Sequence, residues 1–155
     1  HARIPDNAGK QPFSQRIIDG APDAYFATLP VNAMVAAMKQ AEIPAAVSYT
    51  AGTYVCNDVM YQVLHALATR FPETRGTFLH VPFATEQVVE KNAAGEKGAA
   101  GEKSAAGEKG HAAGEKFRPV PSMPLEMMTR GLQVALEAAL ATDVDIADSV
   151  SGTTC

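Results

Sequence analysis

The spacing of apolar residues along the chain is the feature that most constrains its fold. Val31, Met34, Val35 and Met38 fall at i, i+3, i+4 and i+7, which predicts a helix with one apolar stripe that starts after Pro30. A second helix is predicted from about 55–57 to the residue before Phe71-Pro72. A third is predicted from Leu125 to Ala141, with Ser122 as its N-cap candidate. Its apolar face holds Leu125, Met128, Leu132, Leu136 and Leu140.

Two short apolar runs separate these helices. Residues 45–50 follow Pro44, and residues 76–83 are bounded by Gly76 and Pro82, so both predict buried strands. The resulting order is helix–strand–helix–strand–helix. This order predicts an α/β layered fold in which the strands pair in parallel.

A low-complexity segment interrupts the pattern. The sequence Ala-Ala-Gly-Glu-Lys occurs four times between residues 93 and 116, and each copy is uncharged overall and lacks a bulky apolar residue. We therefore predict a disordered insertion. The predicted organisation is one domain over 1–91, the insertion over 92–117, a closing helical segment of the same domain over 118–141, and a flexible tail over 142–155, whose aspartates favour solvent.

Composition excludes several classes of protein. The 155 residues suit a single domain, and a net charge of −4 without a basic block argues against a nucleic-acid partner. No apolar run approaches the roughly 20 residues that cross a bilayer, so we predict no membrane association. Two cysteines, Cys56 and Cys155, are too few for a disulfide scaffold and lack zinc spacing. We predict a cytoplasmic protein with at least one free thiol and without a metal or cofactor.

Cys56 lies at the predicted strand–turn–helix junction. Unpaired backbone N–H groups and the helix dipole stabilise a thiolate at such a position. The segment Thr50-Ala51-Gly52-Thr53 permits a sharp turn before it, at the edge of the sheet where open α/β folds bind ligands. The alternative interpretation is a buried structural cysteine.

His80 is the candidate base for Cys56. It follows the predicted strand at the carboxyl edge, so two parallel neighbouring strands would present Cys56 and His80 on one rim. His65, nine residues after Cys56 on the second helix, is predicted to be a surface or packing residue. His1 is terminal, and His111 lies in the insertion.

Several separated motifs resemble the pyroglutamyl peptidase I family, also called pyrrolidone-carboxylate peptidases. The resemblance covers nearly the whole chain except the insertion and the acidic tail. The motifs are Thr-Ala-Gly-Thr-Tyr-Val-Cys-Asn at 50–57, Met-Tyr at 60–61, Phe-Leu-His-Val-Pro at 78–82, Ala-Arg-Ile-Pro-Asp-Asn at 2–7, Ala-Tyr-Phe-Ala-Thr-Leu-Pro at 24–30, Glu-Gln at 86–87 and Ser-Met at 122–123.

The resemblance implies a cysteine peptidase that removes N-terminal pyroglutamate from peptides, on a three-layer α/β/α sandwich with a mostly parallel sheet. Cys56 matches the nucleophile, His80 the base, and Arg3 an arginine near the oxyanion. Tyr54 and Val55 match residues that line the pocket for the pyrrolidone ring.

The resemblance also implies parts that are absent from this sequence. The acid of the Cys–His–Glu triad, the first strands and the phenylalanines around the ring belong upstream of residue 1, so we expect an upstream part of the domain. Asp6 does not match the acid. Loss of a triad acid costs on the order of 10⁴-fold in rate, so the activity of this chain alone is doubtful. An exposed sheet edge would favour pairing with another chain, and a homo-oligomer is one predicted state.

The sequence leaves three alternatives open. The first is a catalytically silent binding or assembly module of the same fold, because two of three triad members are present. The second is another thiol enzyme, such as a deaminating hydrolase. A metal site is the weakest, since His65 and His80 lack a second ligand at helical or strand spacing.

Overall fold

The structure, a computed structural model, describes residues 2, 4–93 and 121–147. In chain order the elements are α1 (Val31–Gln40), α2 (Val55–Arg70), β1 (Phe83–Ala84), α3 (Thr85–Ala93), β2 (Ser122–Met123) and α4 (Leu125–Ala141). This is an α/β fold, as predicted. The chain divides into two compact units, one formed by residues 1–79 with 131–155 and the other by residues 80–130. No helix in the described residues is long and apolar enough to cross a membrane.

The three predicted helices are confirmed as α1, α2 and α4. Prolines precede two of them, and the carbonyls of Pro30 and Pro124 accept the first helical N–H bonds, from Met34 at 3.0 Å and Met128 at 3.1 Å. Proline suits these positions because it lacks only an N–H that the helix start cannot use. Pro124, rather than the predicted Ser122, therefore precedes α4. Phe71 ends α2, as the following proline predicts.

The two predicted strands are not formed over their predicted lengths. The structure assigns no strand to residues 45–50, and of residues 76–83 only Phe83 belongs to a strand. A strand needs a ladder of backbone hydrogen bonds to a neighbour. Gly76 bonds instead to the loop before α1: its carbonyl accepts the N–H of Thr28 at 2.9 Å, and its N–H donates to Thr28 Oγ1 at 2.8 Å.

The second unit contains a parallel pair of strands, as the sequence predicts, but the pair is β1 with β2 and not the predicted runs at 45–50 and 76–83. Phe83 pairs with Ser122 and Ala84 with Met123, in parallel. Helix α3, which the sequence analysis missed, follows β1 directly. The Gln87 side chain accepts the N–H of Ala84 at 2.8 Å, which is the return half of a capping box and explains the helix start.

The core of the first unit is small. Met34 of α1 packs with Ala135 and Ala139 of α4, and Leu29 and Met38 pack against this cluster. The buried face of α4 thus consists of small residues, Gly131, Ala135 and Ala139.

The segment after α4 returns to α1. Asp145 accepts the N–H groups of Asn32 and Ala33, both at 3.0 Å, and Arg75 donates to the carbonyls of Ala139 and Thr142 at 2.9 and 2.8 Å. The prediction that the tail from residue 142 is solvated is therefore wrong for Asp145. Its carboxylate binds the start of α1, which has no side-chain cap of its own. Of the predicted insertion over 92–117, residues 92 and 93 belong to the end of α3, and the remainder lies outside the described residues, as does the tail from residue 148.

Candidate active site

The loop before α2 has a fixed local conformation. Gly52 has φ +79°, a left-handed conformation that glycine adopts without strain. The hydroxyl of Thr50 accepts the N–H of Gly52 at 3.0 Å, and the hydroxyl of Ser48 donates to the Thr50 carbonyl at 2.8 Å. The predicted sharp turn is confirmed.

Cys56 is the second residue of α2. Tyr54 precedes the helix with φ −124° and ψ −146°, and no side chain caps this helix start. The first N–H groups of a helix have no acceptor within the helix, so those at 55–57 can bind an anion. Cys56 is a partly exposed free thiol, which gives its sulfur access to a ligand.

The other predicted site residues lie in three places. Tyr54 and Val55 are adjacent to Cys56 at the start of α2, with Tyr54 partly buried and Val55 exposed. His80 is an exposed residue of the second unit, three positions before β1. Arg3 lies outside the described residues. The pairing of Cys56 with His80 stays a prediction.

Asp6 has a local role in the described structure. Its Oδ1 accepts the N–H groups of Ala8 and Lys10, at 2.9 and 2.8 Å, and its carbonyl accepts the N–H of Gly9. These bonds hold a turn, which agrees with its exclusion as the triad acid. In the described residues, no group of three or more His, Cys, Asp and Glu side chains could hold a metal ion.

A groove that the sequence analysis missed lies along α2, one turn from Cys56. It has a volume of about 390 Å³. Its walls are residues 14–18, residues 22–25 and three side chains of α2, those of Asn57, Met60 and Tyr61. The sequence signal was available in the Met-Tyr motif at 60–61, which follows Cys56 at helical spacing.

Two tyrosines hold residues 22–25, which form one wall of the groove, against α2. The Tyr25 hydroxyl hydrogen-bonds His65 Nδ1 at 2.8 Å, and the Tyr61 hydroxyl donates to the Pro22 carbonyl. The rings of Tyr25 and Tyr61 meet edge to face with centroids 5.1 Å apart. His65, predicted to be a surface or packing residue, is partly buried, and its ring meets that of Tyr25 edge to face.

The pKa of Tyr61 is raised above its usual 10.0. Desolvation by burial is the largest cause, and the neighbouring Tyr25 adds to it. Arg16 opposes the shift, and Asp23 contributes a smaller increase. A Tyr61 phenolate could not donate to the Pro22 carbonyl. The hydrogen bond therefore favours the neutral phenol, which also raises the pKa of Tyr61.

These features define a class of protein: an α/β domain with an accessible thiol at an uncapped helix start, a site suited to nucleophilic attack and to stabilisation of a developing negative charge. Comparison with known proteins identifies the particular family. Residues 1–110 match the pyroglutamyl peptidase family, and the chain belongs to it.

Individual relatives agree with this assignment. The chain is 41% identical over 145 residues to the pyrrolidone-carboxylate peptidase of Enterococcus faecalis, covering 94% of this chain and 56% of the relative. It is 59% identical over 92 residues to that of Streptomyces coelicolor, covering 59% of this chain and 43% of the relative.

A solved structure shows the same fold. The crystal structure of pyroglutamyl peptidase I from Bacillus amyloliquefaciens matches with a TM-score of 0.73 and 34% identity, over 96% of this chain and 58% of that one. The chain thus spans little more than half the length of these two relatives, from Enterococcus and Bacillus.

Proposed function

We propose that this chain carries the nucleophile and the general base of a cysteine peptidase that removes N-terminal pyroglutamate from peptides. The observation that carries the proposal is the position of Cys56 at the start of α2, after the Gly52 turn, in a chain of the pyroglutamyl peptidase family. Relatives named pyrrolidone-carboxylate peptidase are about 40% identical to this chain over most of the chain's length.

The proposed reaction starts with proton transfer from the Cys56 thiol to His80. The sulfur attacks the carbonyl carbon of the pyroglutamyl residue, and the oxygen becomes negatively charged. The N–H groups at the start of α2 and the guanidinium of Arg3 stabilise that oxyanion in the proposal. His80 then returns the proton to the leaving amine as the C–N bond breaks.

The second half of the reaction restores the thiol. Water attacks the thioester carbonyl, with His80 accepting the water proton and giving it to the departing Cys56 sulfur. Free pyroglutamate is released. Tyr54 and Val55 would line the pocket for the pyrrolidone ring, because they precede the nucleophile directly in the chain.

The complete reaction needs an acid to orient His80. In the proposal that role belongs to the glutamate that the family resemblance implies, in the part of the relatives that this chain does not match. The described contacts of Asp6 are local, so Asp6 does not replace it. Without the acid we expect a loss of about 10⁴-fold in rate, and the test therefore supplies the rest of the domain.

The test is a chimera in which this chain replaces the matching part of the Bacillus amyloliquefaciens enzyme. We expect release of p-nitroaniline from pyroglutamyl p-nitroanilide, and loss of that release in the Cys56→Ser variant. His80→Ala should lower kcat by at least about 10⁴-fold. A folded chimera with no hydrolysis would instead identify a catalytically silent module.

The remaining parts of the proposal concern location and partners. We place the protein in the cytoplasm, because a free, accessible thiol is stable in a reducing compartment. Its partners are peptides with N-terminal pyroglutamate, and it binds neither nucleic acid nor membranes. A homo-oligomer stays a prediction, and the molar mass from light scattering after size exclusion tests it.

A further inference from the structure

The groove along α2 lies beside the proposed nucleophile. Asn57, the residue after Cys56, and Met60, four residues after it, both line the groove. On a helix these two positions lie within about 100° of Cys56 around the axis, and Met60 lies about 6 Å from it along the axis. Two extended residues span about 7 Å. A peptide whose reacting carbonyl meets the Cys56 sulfur can therefore place its next two residues in the groove.

The groove combines apolar side chains with charges that cancel. Ile17 and Ile18 on the loop side and Met60 on α2 supply the apolar surface. The charged residues of the wall pair with each other, with Nη2 of Arg16 2.9 Å from Oδ1 of Asp23. A groove of about 390 Å³ with this lining suits an uncharged ligand that has an apolar side chain and a few polar groups.

The main chain of residues 15–17, in the loop side of the groove, has hydrogen-bonding groups that the described part of the chain does not use. These residues belong to neither a helix nor a strand, and no hydrogen bond joins their N–H or C=O groups to another described residue. An extended peptide can pair with such groups, and main-chain pairing is a common mode of peptide recognition.

Part of the groove is ordered before a ligand binds. The hydroxyl groups of Tyr25 and Tyr61 tie residues 22–25 to α2 through His65 and the Pro22 carbonyl. A wall that is already fixed loses less conformational entropy on binding, which favours affinity for a short peptide segment.

We propose that the groove binds the two residues that follow pyroglutamate in a substrate peptide. The first of them presents an uncharged apolar side chain to Ile17, Ile18 and Met60, and the peptide main chain pairs with residues 15–17. This inference rests on the proposed function, since Cys56 fixes the position of the scissile bond. It makes Met60 a residue that selects the leaving part of the substrate.

The test is photocrosslinking of the 155-residue chain, carrying Cys56→Ser so that the peptide stays intact. Two peptides of eight residues begin with pyroglutamate and carry p-benzoylphenylalanine at position 2 or at position 8. Peptide mass spectrometry locates the adducts. We expect the label at position 2 to attach to residues 14–18, 22–25 or 57–61, and the label at position 8 to attach to none of them.

The variant Met60→Glu should lower the yield of the position-2 adduct at least about tenfold, because it places an unpaired charge against the apolar side chain of the peptide. The matched control is Val63→Glu, which adds the same charge to an exposed apolar position of α2 outside the groove lining. It should change the yield by less than about twofold. Circular dichroism establishes that each variant is folded, and Met60→Ala, with an expected fall of about fivefold, replaces Met60→Glu if the latter unfolds.

Adducts of the position-2 peptide that lie outside the groove would overturn the proposal, as would equal yields from Met60→Glu and Val63→Glu. Attachment of the position-8 label to the groove would overturn it as well. The crosslink is read without hydrolysis. A groove adduct together with an inactive chimera would therefore contradict only the proposed function, whereas an active chimera without a groove adduct would contradict only this inference.

Discussion

The contact between Asp145 and the start of α1 can be tested by a single isosteric substitution. Pro30 precedes α1 and supplies no side-chain acceptor for the first N–H groups of the helix. The two carboxylate oxygens of Asp145 accept these N–H groups instead, from Asn32 and Ala33, each at 3.0 Å. Asp145→Asn keeps the shape of the side chain, but it removes the charge and one of the two acceptors.

The expected cost follows from the two lost interactions. An N-cap hydrogen bond contributes roughly 1 kcal/mol, and a negative charge at a helix N-terminus adds about 0.3–1 kcal/mol. We therefore expect the free energy of unfolding to fall by about 1–2 kcal/mol, which lowers Tm by about 2–8 °C for a chain of this size.

Urea denaturation followed by circular dichroism measures this difference. The control is Asp143→Asn, an exposed aspartate on the same segment, which changes the net charge equally. It should leave stability within about 0.5 kcal/mol of the parent. If Asp145→Asn and Asp143→Asn have the same midpoint, the carboxylate does not stabilise α1.

Three further predictions concern pH, the low-complexity segment and specificity. Because the folded state raises the pKa of Tyr61, its stabilisation is complete below pH 10 and is lost as pH rises through the raised pKa. The urea midpoint of the parent should therefore fall more between about pH 9 and about pH 11 than that of Tyr61→Phe, and equal falls would refute this. Deletion of residues 94–117 should lower Tm by less than about 10 °C, and a larger fall would mean that the segment packs. The active chimera should prefer pyroglutamyl over prolyl p-nitroanilide by roughly 10⁴-fold in kcat/KM, since proline lacks the lactam carbonyl, and comparable values would widen the assignment to an imino-acid aminopeptidase.

Helices were the part of the fold that the sequence could predict. The apolar spacing and the prolines around α1, α2 and α4 are local signals, and local hydrogen bonds suffice to realise them. The runs at 45–50 and 76–83 carry the composition of strands, but a strand exists only with a hydrogen-bonded neighbour, which composition does not supply. Helix α3 was missed because its start depends on a hydrogen bond in which the Gln87 side chain accepts the N–H of Ala84.

The packed face of α4 shows a second limit. The sequence displays a leucine stripe, whereas the structure buries Gly131, Ala135 and Ala139 and leaves Leu136 and Leu140 exposed. Periodicity defines the sides of a helix, and the neighbours decide which side is covered. The contact of Asp145 with α1 spans more than a hundred residues, and no local pattern predicts it.

The candidate site was predicted in part. The turn at Gly52 and the placement of Cys56 at a helix start follow from local sequence, and both are confirmed. The groove along α2 forms between that helix and a loop about forty residues earlier in the chain, so the Met-Tyr motif at 60–61 indicates its helix side but no local pattern indicates its loop side.

Identification of the residue that reacts with a pyroglutamyl affinity label decides whether Cys56 is the nucleophile. The label is pyroglutamyl chloromethyl ketone, whose ring would fill the pocket and whose reactive carbon would meet the nucleophile. It is applied to the chimera, and peptide mass spectrometry locates the adduct. We expect one adduct on Cys56, none on Cys155, and protection by a pyroglutamyl peptide. Labelling of Cys155 alone, or retained hydrolysis with Cys56 fully modified, would contradict the claim that Cys56 is the nucleophile.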